Sequence, residues 1–145
     1  MARGVPKEVV EKLRAVPLFS SCSTPELRMI ASLGTQLHEH VGQTLITQGE
    51  FGSEFFLVLE GEASCLIDGK KVATFAPGDY FGELALLSRV PRSATVVVDS
   101  DMNVLVMSAK EFYSMLDDSP GVVQKMLGRL AERVRVLETE HSHQH

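Results

Sequence analysis

Short apolar runs separated by turn residues fill the middle of this 145-residue chain and constrain its fold more than any other feature. From about residue 34 to 108 these runs alternate with glycine, Asp-Gly and Pro-Gly turns. Asp68-Gly69 joins the runs Ala63–Ile67 and Lys70–Ala73, and Asp-Gly favours a two-residue hairpin because both of its positions accept a positive φ. The last two strands are predicted over Ser93–Val98 and Met102–Met107. Regularly spaced short strands of this kind predict a sandwich or a barrel.

Helical patterns flank this β-rich region on both sides. Pro6 stands at a helix start, Pro17 ends that helix, and Thr24 is predicted to cap a second one. After the strands, Ser108 opens a capping-box pattern and Ser119 is predicted to cap the final helix. We therefore expect helices over about 6–33, a β-roll over about 34–108 with a short helix near 83–87, C-terminal helices over about 109–138, and a flexible tail over 139–145.

Composition excludes several classes of protein. Fourteen Lys and Arg against 19 Asp and Glu give a net charge of −5, which disfavours generic nucleic-acid binding. No apolar run approaches the ~20 residues of a membrane span, and the charged N-terminus is unlike a signal peptide. Cys22 and Cys65 are therefore expected to be reduced thiols in a cytoplasmic protein.

Residues 81–87 and the arginine that follows them, Arg92, indicate an anion site. Gly82 permits close approach of a ligand, and a helix that starts after it presents free N–H groups to an anion. Arg92 precedes a strongly apolar run, where a cation needs a partner such as a phosphate. Ser93 adds a hydroxyl, whereas Glu83 repels a phosphate and suits a ligand hydroxyl instead. One compact anion beside one hydroxyl fits a cyclic nucleotide.

This stretch resembles the phosphate-binding cassette of cyclic-nucleotide-binding domains, the family found in the catabolite activator protein, kinase regulatory subunits and cyclic-nucleotide-gated channels. A second resemblance lies upstream in Leu45–Gly61, where a Gly-acidic-x-Gly turn precedes four large apolar residues and another glycine. The resemblance covers roughly Val16 to Val136. The resemblance implies one domain over residues 1–145, mainly β, with a jelly-roll-like double-stranded β-helix between N-terminal helices and C-terminal hinge and lid helices.

The resemblance also implies roles at the start of the cassette helix. Glu83 would accept the ribose 2′-hydroxyl of the ligand. The backbone of Gly82 and the N–H groups of Leu84 and Ala85 would line the ribose-phosphate.

Further roles follow for the cation and for the last helix. Arg92 would pair with the cyclic phosphate, and Ser93 would add a hydrogen bond. Serine at that position leaves the choice of nucleotide open, with cAMP favoured over cGMP. The base is usually covered from the C-terminal helix, where Leu130, Arg133 and the nearby Arg129 are candidates.

Three alternatives remain at this stage. In the first alternative, Arg92 pairs with a structural carboxylate instead of a ligand. Arg89 competes for the phosphate, but it lacks the Ser-Ala-Thr-Val context and is expected on the surface. In the third alternative the chain is a ligand-independent interaction or dimerisation domain, with the cassette intact but unused, and it works through its last helix. That helix carries a heptad stripe, which either packs on the barrel or forms a homodimer seam: Val123, Leu127, Leu130, Val134 and Leu137.

Histidines raise the possibility of metal binding. His38 and His40 resemble half of a cupin metal site, but no further ligand follows at the required spacing, so both are expected to face solvent. His141, His143 and His145 lie in the predicted tail. We expect neither a metal site nor a metal-dependent enzyme.

The favoured interpretation is a cyclic-nucleotide sensor without catalysis or cofactor. The helices after Ser108 leave no room for a DNA-reading domain, so we expect no specific DNA binding and no membrane insertion. We expect the signal to leave through these helices, to an unknown effector protein or to a domain outside this chain.

Overall fold

The computed structural model of the protein describes residues 6–143. Its helices are α1 Lys7–Arg14, α2 Thr24–Leu33, α3 Glu83–Ser88, α4 Ala109–Asp118 and α5 Pro120–His143, with a 3-10 turn at Pro17–Phe19. Its strands are β1 Thr35–Glu39, β2 Thr44–Ile46, β3 Glu54–Glu60, β4 Ala63–Ile67, β5 Lys70–Phe75, β6 Tyr80–Phe81, β7 Thr95–Val98 and β8 Met102–Ser108.

The strands form two antiparallel four-stranded sheets in the order β1-β8-β3-β6 and β2-β7-β4-β5. The predicted class, a β-roll with flanking helices, is confirmed. The Asp68-Gly69 hairpin is also confirmed, because φ is 52° at Asp68 and 78° at Gly69 and β4 pairs with β5 across them. β7 begins at Thr95, two residues later than predicted.

Strand β3 holds the domain together because it is buried on both faces. Phe55 and Leu57 face a core shared with the helices, whereas Phe56 and Val58 face a second core between the two sheets. Side chains alternate across a strand, so one continuous apolar run supplies both cores. The β1-β8-β3-β6 sheet therefore lies between a helical layer and the other sheet.

One predicted helix cap is wrong, and a second is confirmed only in its position. The N-cap of α2 is Ser23, which accepts from the Glu26 backbone N–H, and the Glu26 carboxylate accepts from the Ser23 N–H. This reciprocal pair satisfies two backbone donors, so the helix begins one residue earlier than a cap at Thr24 allows. Ser119 directly precedes α5, as predicted, and its carbonyl accepts from Val122 N at 3.0 Å, but its hydroxyl is buried and makes no hydrogen bond to any residue the structure describes. The predicted capping box at Ser108 is confirmed.

Helix α5 differs from its prediction in length and in the face it buries. It continues to His143 instead of ending near residue 138, since no glycine or proline follows Gly128; residues 144 and 145 lie outside the described part. Val122 and Met126 bury its inner face, whereas Leu127, Val134 and Leu137 of the heptad stripe are exposed. These three residues therefore do not pack on the barrel. Among the described residues, no helix is both long and apolar enough to cross a bilayer.

Candidate functional site

A cavity of about 270 Å³ opens between α3, the segment that follows it and the β2-β7-β4-β5 sheet. All six residues predicted to bind the ligand line it, and so does Arg133 of α5. The fold thus brings the cassette residues to one space, and the six are Gly82, Glu83, Leu84, Ala85, Arg92 and Ser93.

Arg92 is a buried cation, only 5% exposed, at the wall of this cavity. Its Nη1 donates to the Gly82 carbonyl at 3.1 Å and its Nη2 to the Glu54 carbonyl at 2.9 Å. No carboxylate among the described residues lies within ion-pair distance of it, so the pairing with a structural carboxylate is absent there. Burial lowers the pKa of Arg92, although Glu54 and Glu83 partly oppose that shift.

Two glycines make room for this guanidinium. A Cβ on Gly52 would lie 2.0 Å from Arg92 Nε, and one on Gly82 would lie 2.9 Å from Arg92 Nη1. Backbone hydrogen bonds from Arg92 N to the Glu50 carbonyl and from Gly49 N to the Arg92 carbonyl, both 2.8 Å, fix the arginine against this loop. Sequence reasoning used Gly52 only as part of a turn pattern. Its contact with Arg92 joins the two motifs, and no local signal indicated it.

Glu83, at the first position of α3, is equally buried, at 4% exposure. Its Oε1 lies 3.8 Å from Arg133 Nη1, and its Oε2 has no hydrogen-bond partner among the described residues. Burial raises the pKa of Glu83. The backbone N–H of Glu83 and the charges of Arg133, Arg129 and Arg92 lower this pKa and so offset part of the increase. An unsatisfied carboxylate oxygen inside a cavity can accept a hydrogen bond from a ligand hydroxyl.

The start of α3 depends on a left-handed backbone at Gly82, where φ is 95°. A side chain there would be strained and would also collide with the Glu54 carbonyl, 2.6 Å from the added Cβ. The next two N–H groups belong to Leu84 and Ala85, in the first turn, where a helix leaves its donors without partners inside the helix. Ser93 is exposed at the edge of the same cavity.

Helix α5 reaches this site through two arginines. Arg133 faces Glu83, and the Arg129 guanidinium lies 4.8 Å from the centre of the Tyr80 ring, a cation–π contact that sequence reasoning missed. Leu130 is half-buried and does not line the cavity. Of the lid candidates, Arg133 alone lines the cavity.

The remaining wall of the cavity is apolar and was not predicted. Cys65 and Ile67 lie two positions apart on β4, so their side chains share one face of the strand. This spacing is the sequence signal that could have indicated their place in the wall. Cys65 and Cys22 are both free thiols, as expected, and burial raises the pKa of each. The other apolar wall residues include Ile46, Ala73, Phe75, Tyr80 and Phe81.

The sequence profile of the cyclic nucleotide-binding domain family matches residues 39–119. That span is more than half of the chain and includes Gly52, Glu83 and Arg92. The chain therefore belongs to the cyclic nucleotide-binding domain family, and the resemblance drawn from its two motifs is confirmed.

Individual relatives agree with this assignment. The cAMP-dependent protein kinase regulatory subunit of Mycosarcoma maydis is 38% identical over 123 residues, which are 78% of this chain and 23% of that protein. A cAMP-bound PfPKA-R structure superposes with a TM-score of 0.79 at 29% identity, covering 94% of this chain and 47% of that one. The catabolite activator protein of Thermus thermophilus gives 0.80 at 26% identity, covering 87% and 62%. This chain spans about a quarter of the length of the fungal subunit.

Proposed function

We propose that this chain is a cyclic-nucleotide sensor that binds cAMP, and cGMP more weakly, in the cavity beside α3. The observation that carries the proposal is Arg92, a buried guanidinium held only by backbone carbonyls among the described residues. A buried cation without a counter-charge is costly, and a phosphate that enters the cavity supplies one. The relatives named for cAMP dependence or cAMP binding support the choice of nucleotide.

The cyclic phosphate is expected to lie between Arg92 and the first turn of α3. Two N–H groups of that turn, those of Leu84 and Ala85, add hydrogen bonds to the anion, and the hydroxyl of Ser93 adds another. Pairing with Arg92 is worth on the order of 1.5–3 kcal/mol as a charged hydrogen bond.

The ribose is expected to meet Glu83. Its free Oε2 is the acceptor for the 2′-hydroxyl, whereas Arg133 approaches the other oxygen, Oε1, at 3.8 Å. The nucleotide and Arg133 therefore share one carboxylate. A ligand that turns Glu83 toward its ribose changes the contact with Arg133 and so acts on α5.

The signal is expected to leave through α4 and α5. The Tyr113 hydroxyl of α4 donates to the Leu86 carbonyl of α3 at 2.7 Å, so a shift of the cassette acts on α4 directly. Ligand drives such a shift only to the extent that it binds the shifted state more tightly. We propose a regulatory role without catalysis or cofactor, acting on an effector protein or domain. We expect no sequence-specific DNA binding by residues 6–143.

Calorimetric titration of the purified chain with cAMP and with cGMP tests the proposal. We expect saturable binding of one nucleotide per chain, tighter for cAMP, and a higher melting temperature because the ligand binds the folded state. AMP, which lacks the cyclic phosphodiester, is the control ligand. Absence of binding to both cyclic nucleotides at millimolar concentration would contradict the proposal.

A second candidate function, homodimerisation through α5, is favoured by the exposed heptad stripe. Leu127 is 59% and Leu137 63% exposed on α5. Leucine and valine at the a and d positions of a heptad form the seam of a coiled coil. Light scattering of the chain should give a dimer that L127K/L137K converts to a monomer, while Val72→Lys on β5 leaves it unchanged. A monomeric wild-type chain at high micromolar concentration would exclude this seam.

A further inference from the structure

Two histidines and one carboxylate meet on the outer surface, apart from the nucleotide cavity and sharing no residue with it. His38 and His40 stand two positions apart at the end of β1, so their rings share one face, with centroids 4.9 Å apart. Asp101, in the turn before β8, lies 3.9 Å from His38 Nε2 and 3.9 Å from His40 Nδ1. The three candidate ligand atoms all lie within 4.8 Å of one another.

A neighbouring amide sets the tautomer of His38. Asn103 is opposite His38 in the β1–β8 ladder, and its Oδ1 lies 3.1 Å from His38 Nδ1. An amide oxygen only accepts, so Nδ1 carries the proton and Nε2 presents its lone pair toward Asp101. Histidines that bind metals are oriented in this way, by a hydrogen bond from the nitrogen that does not bind.

The Asp101 backbone is held firmly in place. Gly61 packs so closely against the Asp101 carbonyl that an added Cβ would lie 2.4 Å from it. The Glu62 carbonyl accepts from Asp99 N at 2.9 Å, and Glu62 N donates to Ser100 Oγ at 3.0 Å. The carboxylate therefore projects from an anchored turn toward two histidines fixed by a strand, which is the rigid support a metal site requires.

Simple ion pairing accounts poorly for this arrangement. The three side chains are between 51% and 68% exposed, and ion pairs at such sites contribute little. Two imidazoles on one carboxylate are instead a three-ligand set of the kind that holds zinc and leaves a fourth position open. In a tetrahedral zinc site with bonds of ~2.0–2.1 Å, the ligand atoms lie roughly 3.3 Å apart. Rotation of these exposed side chains, which moves each ligand atom by about 1 Å, brings the three atoms to that spacing.

We propose that His38, His40 and Asp101 form a surface Zn²⁺ site, with Asn103 as a positioning residue and one coordination position open to water. No metal was expected here because no further ligand follows these histidines at the spacing of a cupin site. Asp101 lies some sixty residues later and reaches them only through the pairing of β1 with β8.

Calorimetric titration with ZnCl₂ at neutral pH tests the site in a reference chain whose other three histidines, His141, His143 and His145, are replaced by serine. That reference retains only His38 and His40 of the five histidines. We expect one Zn²⁺ per chain and a melting temperature that rises with zinc. His38→Ala, His40→Ala and Asp101→Asn should each weaken binding at least tenfold, and Asn103→Ala about tenfold, the usual range for an outer-shell partner.

Glu39→Gln is the matched control, because this carboxylate lies between the two histidines in sequence but on the opposite strand face. It should leave zinc affinity unchanged. Because the ligand side chains are exposed, the four site variants measured in EDTA should melt close to the temperature at which the reference chain melts in EDTA. Absence of binding at 1 mM Zn²⁺ in the reference chain would overturn the proposal. So would binding that persists at full affinity when both His38 and His40 are alanine.

Discussion

The Arg133 guanidinium lies 3.8 Å from the buried Glu83 carboxylate and so joins the last helix to the cassette that is proposed to bind the nucleotide. Arg133 is half-exposed, whereas Glu83 is nearly inaccessible. Arg133 lies at Oε1, beside the free Oε2 that a ribose hydroxyl would use. Ligand binding and the position of α5 are thereby linked through a single carboxylate.

Arg133→Ala should increase cAMP affinity about two- to fivefold. An ion pair with one exposed partner is worth at most about 1 kcal/mol, and without it Glu83 is free to turn toward the ribose hydroxyl. Titration calorimetry measures the change, with Arg135→Ala as the control, since Arg135 pairs with Glu132 on the same helix. Weaker binding by Arg133→Ala would instead assign Arg133 to the lid over the base.

Glu83→Gln should stabilise the ligand-free protein at neutral pH while weakening cAMP binding. Burial raises the pKa of Glu83, so the folded state holds its proton more tightly than the unfolded state. Wild-type stability must then fall as pH rises from the ordinary carboxyl pKa through the raised one. Melting curves at pH 4.5 and pH 8 should show a smaller pH-dependent loss for the variant. Equal losses in the two proteins would contradict the account of Glu83.

Tyr113→Phe should weaken communication between the cassette and α4 with little change in nucleotide affinity. The variant loses only the hydrogen bond to the Leu86 carbonyl, worth about 0.5–1.5 kcal/mol, and the melting temperature should fall by a few degrees. Hydrogen exchange of α4 with and without cAMP measures the communication. An undiminished cAMP-dependent change in α4 protection would exclude Tyr113 as the link.

Gly52→Ala should weaken cAMP binding about tenfold without unfolding the domain. The added methyl group would lie 2.0 Å from Arg92 Nε, so the guanidinium must move from its present position. Gly128→Ala is the control, because its Cβ meets nothing within 4 Å, and it should stabilise α5 by about 1 kcal/mol. Unchanged nucleotide affinity in Gly52→Ala would show that the position of Arg92 does not matter.

The fold could be predicted from sequence because its signals are local. The Asp68-Gly69 turn, the apolar run of β3 and the Ser108 capping box each depend on neighbouring residues. The cassette was recognisable for the same reason, since Gly82 and Glu83 are adjacent and Arg92 follows closely.

Contacts between distant segments could not be predicted. Gly52 lies forty residues before Arg92, and Arg133 lies fifty residues after Glu83, so neither contact has a periodicity or spacing that reveals it. The burial of Glu83 is likewise a tertiary effect, because in isolation a glutamate after a glycine indicates a solvated turn. Asp101 joins His38 and His40 for the same reason, through strand pairing.

The central claim is that Arg92 binds the phosphate of a cyclic nucleotide, and calorimetry of Arg92→Ala tests it most directly. The account predicts that cAMP affinity falls about 10- to 150-fold, corresponding to a charged hydrogen bond of 1.5–3 kcal/mol, while the circular dichroism spectrum stays native. Arg89→Ala, three positions earlier on the exposed end of α3, should bind cAMP like the wild type. A folded Arg92→Ala protein with wild-type cAMP affinity would contradict the account.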